Sequence, residues 1–308
     1  MVRVSTALCG IVLSAGLAAA CGATRTSPHV PGSAREPRAV VANAGCIGCH
    51  EEIGREWRAS NHAEAFRHDT FQTAYAIEPL PFCVACHAPE TSASRPSLPE
   101  SDLGVACVTC HVGGAKTSRG ARDAGCLKCH EFPYPGETRL LQKTVGEHQR
   151  SGSSHVPCTD CHMGVVLHDG GRHTDHRFLA SRSSLLVRSA SKVEARRDGD
   201  LLFVTFTRVA VGHAFPTGDL FRRLRLVATS GSASHEVVLD RQTKRDEEVD
   251  NRPFADGRDT YVATIPLDGL GKNVTWRVVY ERVGHPTAAQ GNDATIDGAI
   301  EIAHGTLD

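Results

Sequence analysis

The sequence predicts an α+β chain of more than one domain: a mostly irregular, short-helix region over residues 41–184, followed by an antiparallel β-sandwich over residues 185–308. Three observations carry this. The pentapeptide Cys-x-x-Cys-His occurs five times, always between residues 46 and 162. That same stretch is broken by Pro79, Pro81, Pro89, Pro96, Pro99, Gly113-Gly114, Pro133 and Pro135, which leaves room only for short helices. After Ser184 there is no cysteine, and apolar residues alternate with polar ones between turn signals.

At the N-terminus, Arg3 precedes an apolar run from Ala7 to Ala20, too short to favour spanning a bilayer and typical of an export signal over residues 1–20. Two cleavages compete. Ordinary cleavage follows the Ala-x-Ala of Ala18 and Ala20, whereas a lipoprotein cut leaves Cys21 as an acylated N-terminus. Cysteine parity favours lipidation of Cys21: Cys9 departs with the signal, and the other ten cysteines are accounted for by the motifs, so ordinary cleavage strands one thiol in an oxidising compartment. Residues 21–40, rich in Ser, Pro, Thr, Gly and Arg, read as a flexible tether.

The motifs are Cys46-Ile-Gly-Cys49-His50, Cys83-Val-Ala-Cys86-His87, Cys107-Val-Thr-Cys110-His111, Cys126-Leu-Lys-Cys129-His130 and Cys158-Thr-Asp-Cys161-His162. Two thiols three positions apart can add to the two vinyl groups on one porphyrin edge, and the adjacent imidazole can then bind the iron from below; each motif is a c-type haem attachment site. The spacing Cys107-x2-Cys110-x15-Cys126-x2-Cys129 also fits a zinc ribbon, and ten exported cysteines could form five disulfides. Neither explains a histidine after every second cysteine. Five haem c groups are expected, at about 28 residues each, too few to bury every porphyrin separately, so the haems should lie against one another. Aromatic residues make up only 5% of the chain and methionines number two, so the porphyrins must supply the missing apolar bulk.

Residues 51–66 read as a helix and residues 139–149 as a second. In the C-terminal half, Leu201–Phe206, Leu224–Ala228, Glu236–Leu239, Tyr261–Ile265, Val274–Val279 and Ala299–Ile302 read as strands of a sandwich of about seven.

Haem count does not separate a wire from an enzyme; the sixth iron position does. Twelve of the seventeen histidines lie outside the motifs. His62 follows His50 by twelve residues, about 18 Å of continuous helix, so it must serve another haem. His176 and His155 flank the fifth motif, with His148 and His173 as substitutes. His213, in Val211-Gly-His-Ala-Phe-Pro-Thr-Gly218, is suited to projecting an imidazole from a rigid edge of the haem-free half onto the other half. His29, His235, His285 and His304 read as solvent residues.

The motifs Trp57-x2-Ser60-x-His62-Ala63, Gly104-Val105-x-Cys107-x2-Cys110-His111, and Cys158-x2-Cys161-His162-Met163 followed by His176-x-Phe178 resemble those of the multihaem c-type cytochromes related to cytochrome c554 and to the hydroxylamine oxidoreductase-like proteins. The resemblance covers residues 41–180 and implies that His62 and His176 are distal haem ligands. Gly164 stands where proline often follows in those families, five haem motifs replace the eight of the oxidoreductases, and no Cys-x-x-Cys-Lys motif of the pentahaem nitrite reductases occurs.

The expectation is an electron carrier on the periplasmic side of the cell envelope, anchored by lipid to the outer membrane in preference to the inner. Its partners would be other cytochromes or a membrane quinol oxidoreductase. The alternative is a reductase of a small nitrogen or sulfur compound at one open-site haem. A formal charge of −1 leaves no basic excess for a nucleic-acid partner.

Overall fold

The computed structural model describes residues 36–91, 100–112, 124–168, 171–218, 220–244, 247–284 and 295–308. The expected signal, Cys21 and most of the tether lie outside them.

The first half is built from short helices: α1 (Glu36–Cys49), α2 (Glu51–Arg58), α3 (Asp69–Ile77), α4 (Pro81–His87), α5 (Cys107–His111), α6 (Ala124–His130), α7 (Thr144–Gln149) and α8 (Cys158–His162). Two antiparallel hairpins interrupt them, β1 (Glu131–Pro133) with β2 (Leu140–Lys143), and β3 (Val165–His168) with β4 (Gly171–Thr174). Its apolar clusters are small. Trp57 and Ala63 pack with Ala39, Leu103, Ala106 and Val108, while Tyr75 packs with Val84 and Ala88.

The helix expected over 51–66 ends at Arg58, and turns follow to residue 67. The buried Ser60 hydroxyl accepts from the Ala63 N–H at 3.2 Å, and the His62 carbonyl accepts from the Val105 N–H at 2.8 Å, so side chain and strap take bonds that a helix ladder would use. The helix expected over 139–149 begins as β2, whose Leu140 and Leu141 carbonyls accept from Arg241, and becomes helical only at Thr144.

A short helix, α9 (Ser184–Ser189), capped by the Ser183 hydroxyl, leads into the second half. There β5 (Ser191–Asp198), β6 (Leu201–Arg208) and β11 (Thr260–Pro266) form one antiparallel sheet in the order β11-β6-β5. A second has the order β13-β12-β7-β8, from β7 (Arg222–Ser230), β8 (Ala233–Leu239), β12 (Val274–Val283) and β13 (Ile296–Leu307). A hairpin of β9 (Arg241–Lys244) and β10 (Glu247–Asp250) stands apart. All six expected strands are present, lengthened, and β5, β9 and β10 join them.

Strand alternation puts one face of each sheet inward. Leu202, Val204 and Phe206 on β6 stand opposite Ile265, Ala263 and Tyr261 on β11; Leu224, Leu226 and Ala228 on β7 stand opposite Tyr280, Val278 and Trp276 on β12. Both sets belong to one apolar core. Phe206, Leu202, Leu224 and Leu226 are fully buried, each side chain contributing about 1.5–3 kcal/mol.

Charged residues join the halves. Lys143 pairs with Asp250 at 2.9 Å and with Glu248, and Arg252 pairs with Glu147 at 2.5 Å, both side chains being buried.

Candidate haem-binding sites

Each Cys-x-x-Cys-His closes a short helix. Cys49 ends α1, with the His50 N–H bonding the Cys46 carbonyl at 2.8 Å; His87 ends α4 and His130 ends α6, while α5 and α8 consist of their motifs alone. Residues three and four apart share a helix face, so the two sulfurs and the imidazole of one motif face the same side. The ten motif cysteines carry no disulfide, and among the described residues no group of three or more His, Cys, Asp or Glu side chains is arranged to hold a bare metal ion.

The imidazoles are paired across the fold. The His111 and His176 ring centres lie 6.3 Å apart, those of His162 and His213 6.2 Å apart, and those of His130 and His62 6.3 Å apart. These separations are too long for ring stacking and have another meaning. An imidazole nitrogen binds a metal at about 2.0 Å, so two imidazoles on opposite sides of one ion put their ring centres about 6.3 Å apart. Three motif histidines, of the third, fourth and fifth motifs, therefore each face a second imidazole at the spacing of two axial ligands. The interplanar angles are 30°, 66° and 7° for the third, fourth and fifth.

Second contacts aim the rings. His162 Nδ1 faces the Leu179 carbonyl at 2.6 Å, His176 Nδ1 the Thr174 carbonyl at 2.6 Å, His213 Nδ1 the Ala214 carbonyl at 2.9 Å, and His87 Nδ1 the Ala65 carbonyl at 2.6 Å. An Nδ1–H donated to a carbonyl leaves Nε2 unprotonated, the form a metal needs. Burial, the largest cause in each case, lowers the pKa of His130 and His176, of His62 to about 4 and of His213 to about 3. All four stay neutral at physiological pH, so protons do not compete for their lone pairs.

The family model described as cytochrome c554 and c-prime matches residues 45–113, and that described as cytochrome c3 matches residues 100–170. Together the two matches span residues 45–170 and make that stretch similar to multihaem c-type cytochromes. Among solved structures, a penta-heme cytochrome c552 from Thermochromatium tepidum is 18% identical, with a TM-score of 0.64 over 85% of this chain and 97% of that one, so the two share a fold. A superoxide reductase from Nanoarchaeum equitans, 11% identical over 39% of this chain and 94% of that one, reaches a TM-score of only 0.22. No curated protein matches the sequence.

The first half also fits haem away from the paired histidines. Arg139 holds a buried guanidinium nitrogen without a hydrogen-bond partner, a donor suited to a haem propionate. Cys86 hydrogen-bonds Cys129, which pushes the Cys86 thiol well above its usual range, so attachment sulfurs of the second and fourth motifs are neighbours.

Among the described residues, the other candidate histidines are engaged elsewhere or exposed, and His29 and His285 lie outside those residues. Both ring nitrogens of His148 face carbonyls, His173 Nε2 bonds Glu56 at 3.0 Å, His68 caps α3 and bonds Arg182, and His155 is exposed. The Phe71 ring stacks on His87 with centres 3.8 Å apart.

Several residues position these rings, and of them Glu56 carries no motif signal of its own. Glu56 accepts from the His176 N–H at 2.9 Å as well as from His173, tying α2 to the segment that presents His176. Phe178, at a φ of 50°, sets its ring against His62 at 4.3 Å and His176 at 5.8 Å, between the outer imidazoles of the fourth and third sites. At Gly104, φ is 53° and a Cβ would lie 2.3 Å from the His62 carbonyl oxygen, so only glycine lets this strap reach the His62 backbone. The Trp57 indole N–H donates to the Val105 carbonyl at 2.8 Å and closes the clamp. These contacts give physical content to the spacing Trp57-x2-Ser60-x-His62 and to the Gly104-Val105 dipeptide.

Proposed function

We propose that the protein is a five-haem electron carrier of the cell envelope that passes electrons singly between redox proteins. The observation that carries this is the pairing of His111 with His176, His130 with His62, and His162 with His213 at the separation of two axial ligands. A haem held between each of these pairs would have an imidazole on both sides and no open position for a substrate. Haem c, when bound, supplies a one-electron couple whose potential is set by axial ligands, hydrogen bonds and burial. The count of five rests on five motifs and finds support in the penta-heme neighbour.

The chain's own residues fix the conditions for that couple. The motif sulfurs would tether each group, carbonyls aim the imidazoles, and the contact between Cys86 and Cys129 would put the attachment edges of the second and fourth motifs side by side. We read the two sheets as a sandwich whose 211–218 loop supplies one ligand and locks the domain to the cytochrome region.

A ligand-binding experiment tests the carrier reading. In the reduced holoprotein, His62→Ala should leave five haems attached and create one high-spin site that binds carbon monoxide. The same variant should remove the most anisotropic low-spin signal from the electron paramagnetic resonance spectrum, because the 66° pair is the most crossed of the three. A wild-type protein that already binds one carbon monoxide per chain would favour the reductase of a small nitrogen or sulfur compound.

Location and partners belong to the same proposal. An export signal over residues 1–20 and an acylated Cys21 would hold the carrier at the outer membrane, facing periplasmic cytochromes or a membrane quinol oxidoreductase. Cys21→Ser should move the protein from the membrane to the soluble fraction, and unchanged fractionation with an unmodified N-terminus would refute the anchor.

A further inference from the structure

Glu147 and His148 are consecutive residues of α7, and between them they hold both ends of the loop that carries His213. Glu147 takes the far end: the Thr217 hydroxyl donates to its Oε2 at 2.5 Å, and its partner Arg252 donates to the Pro216 carbonyl at 2.7 Å. His148 takes the near end, with Nδ1 2.8 Å from the Gly212 carbonyl oxygen. Its other nitrogen, Nε2, lies 3.0 Å from the carbonyl oxygen of Val156, two residues before Cys158. One imidazole therefore bridges the segment leading into the fifth motif and the loop presenting the imidazole opposite His162.

The contact is close by construction. A Cβ at residue 212 would meet His148 Nδ1 at 2.9 Å, so glycine is what allows the approach. The His148 carbonyl is fastened in turn by the Ser151 N–H at 3.0 Å and the Ser151 hydroxyl at 2.8 Å. His213, by contrast, has only a local hold on its own ring, because its Nδ1 faces the carbonyl of the next residue, Ala214. That bond moves with the loop and cannot set the ring's direction relative to His162.

We propose that His148 is the positioning residue of the fifth site, fixing His213 against His162 so that the two ring planes stay within 7° of parallel. The inference rests on reading His162 and His213 as one axial pair. His148 donates to the backbone on one side of that pair as a neutral imidazole and on both sides as an imidazolium, and does not itself bind iron. Contacts one shell beyond a metal ligand are what orient it, and their loss changes the metal's properties while leaving the ligand in place.

The test uses holoprotein carrying His148→Ala, His148→Gln or Gly212→Ala, with His213→Ala as reference. His148→Ala should retain five haems, shift the near-parallel low-spin paramagnetic resonance signal toward a more anisotropic one, and move one midpoint potential. Glutamine, which can donate an N–H to one of the two carbonyls, should restore part of the wild-type signal. Gly212→Ala should reproduce the shift with His148 intact, and it carries the test, with the glutamine variant, if the alanine variant fails to mature. An unshifted signal in His148→Ala and Gly212→Ala, with His213→Ala opening one haem to carbon monoxide, would overturn the inference and leave the axial pair standing. Carbon monoxide binding created by His148→Ala but not by His213→Ala would overturn both, making His148 the ligand.

Discussion

The haem-free chain should fold only beyond the α9 helix. In polypeptide whose five motifs carry alanine for cysteine, hydrogen exchange should show protected amides on β6, β7, β11 and β12, and near-unprotected ones throughout residues 41–180. The core explains the difference. The two sheets share a continuous apolar cluster that includes fully buried Phe206, Leu202, Leu226 and Val278. Among the described residues before the sheets there are two small clusters, one around Trp57 and Leu103 with three alanines, and one around Tyr75 with Phe66 and Phe71 packed against it. Ordering a residue costs about 1.5 kcal/mol in conformational entropy, and clusters of that size cannot offset it over so long a stretch. Covalent porphyrins must supply the rest of the buried apolar surface. Native-like protection of α2 and α4 in the haem-free chain would refute this account.

Arg252→Ala should lower stability by about 3–5 kcal/mol, because it leaves the buried Glu147 carboxylate without its counter-charge. Arg252 also holds the Pro216 carbonyl and pairs with Asp250, so its loss should free the 211–218 loop and the β9–β10 hairpin together. Thermal unfolding with absorption at the haem bands as one readout measures the loss. The double variant Arg252→Met with Glu147→Leu should recover much of it, since apolar residues of similar volume leave no unpaired charge. The same network predicts an acid limit. Burial alone would raise the Asp250 pKa, but hydrogen bonding and charge from Arg252, then Lys143, outweigh it and hold the pKa at about 2. A depressed carboxylate stabilises the fold above its unfolded pKa of about 4, and that contribution is lost as pH falls through the folded value near 2. The junction between the halves should therefore weaken in that window and hold above it.

Much of the molecule was legible in the residues. The haem motifs declare themselves by chemistry, and six strands by alternation, because a half-buried sheet needs a period of two. What stayed hidden depends on tertiary contact. Ser191–Asp198 reads as charged chain, yet Val193 and Ala195 pack against the core and make it β5. Residues 59–67 look helical until Val105 takes the His62 carbonyl. Sequence could put His62, His176 and His213 forward as ligands, but that they face the histidines of the fourth, third and fifth motifs follows from how the chain returns on itself. His148 shows the limit well: a histidine near a haem motif reads as a candidate ligand, and its two carbonyl neighbours, on which the proposed positioning role rests, have no trace in the sequence.

The pairing also imposes a timetable. A chain synthesised from its N-terminus delivers His62 before His130, so the fourth site can close as soon as its own motif arrives. The fifth cannot: His162 emerges early, and His213 arrives only with the 211–218 loop, whose anchor Arg252 comes later still. On the axial-pair reading, the last iron to gain its second imidazole waits for the C-terminal half to fold. A nascent or truncated chain ending before residue 213 would then carry one reactive, gas-binding haem that the finished protein conceals. On that reading the β domain is the closing step of the chain's own assembly.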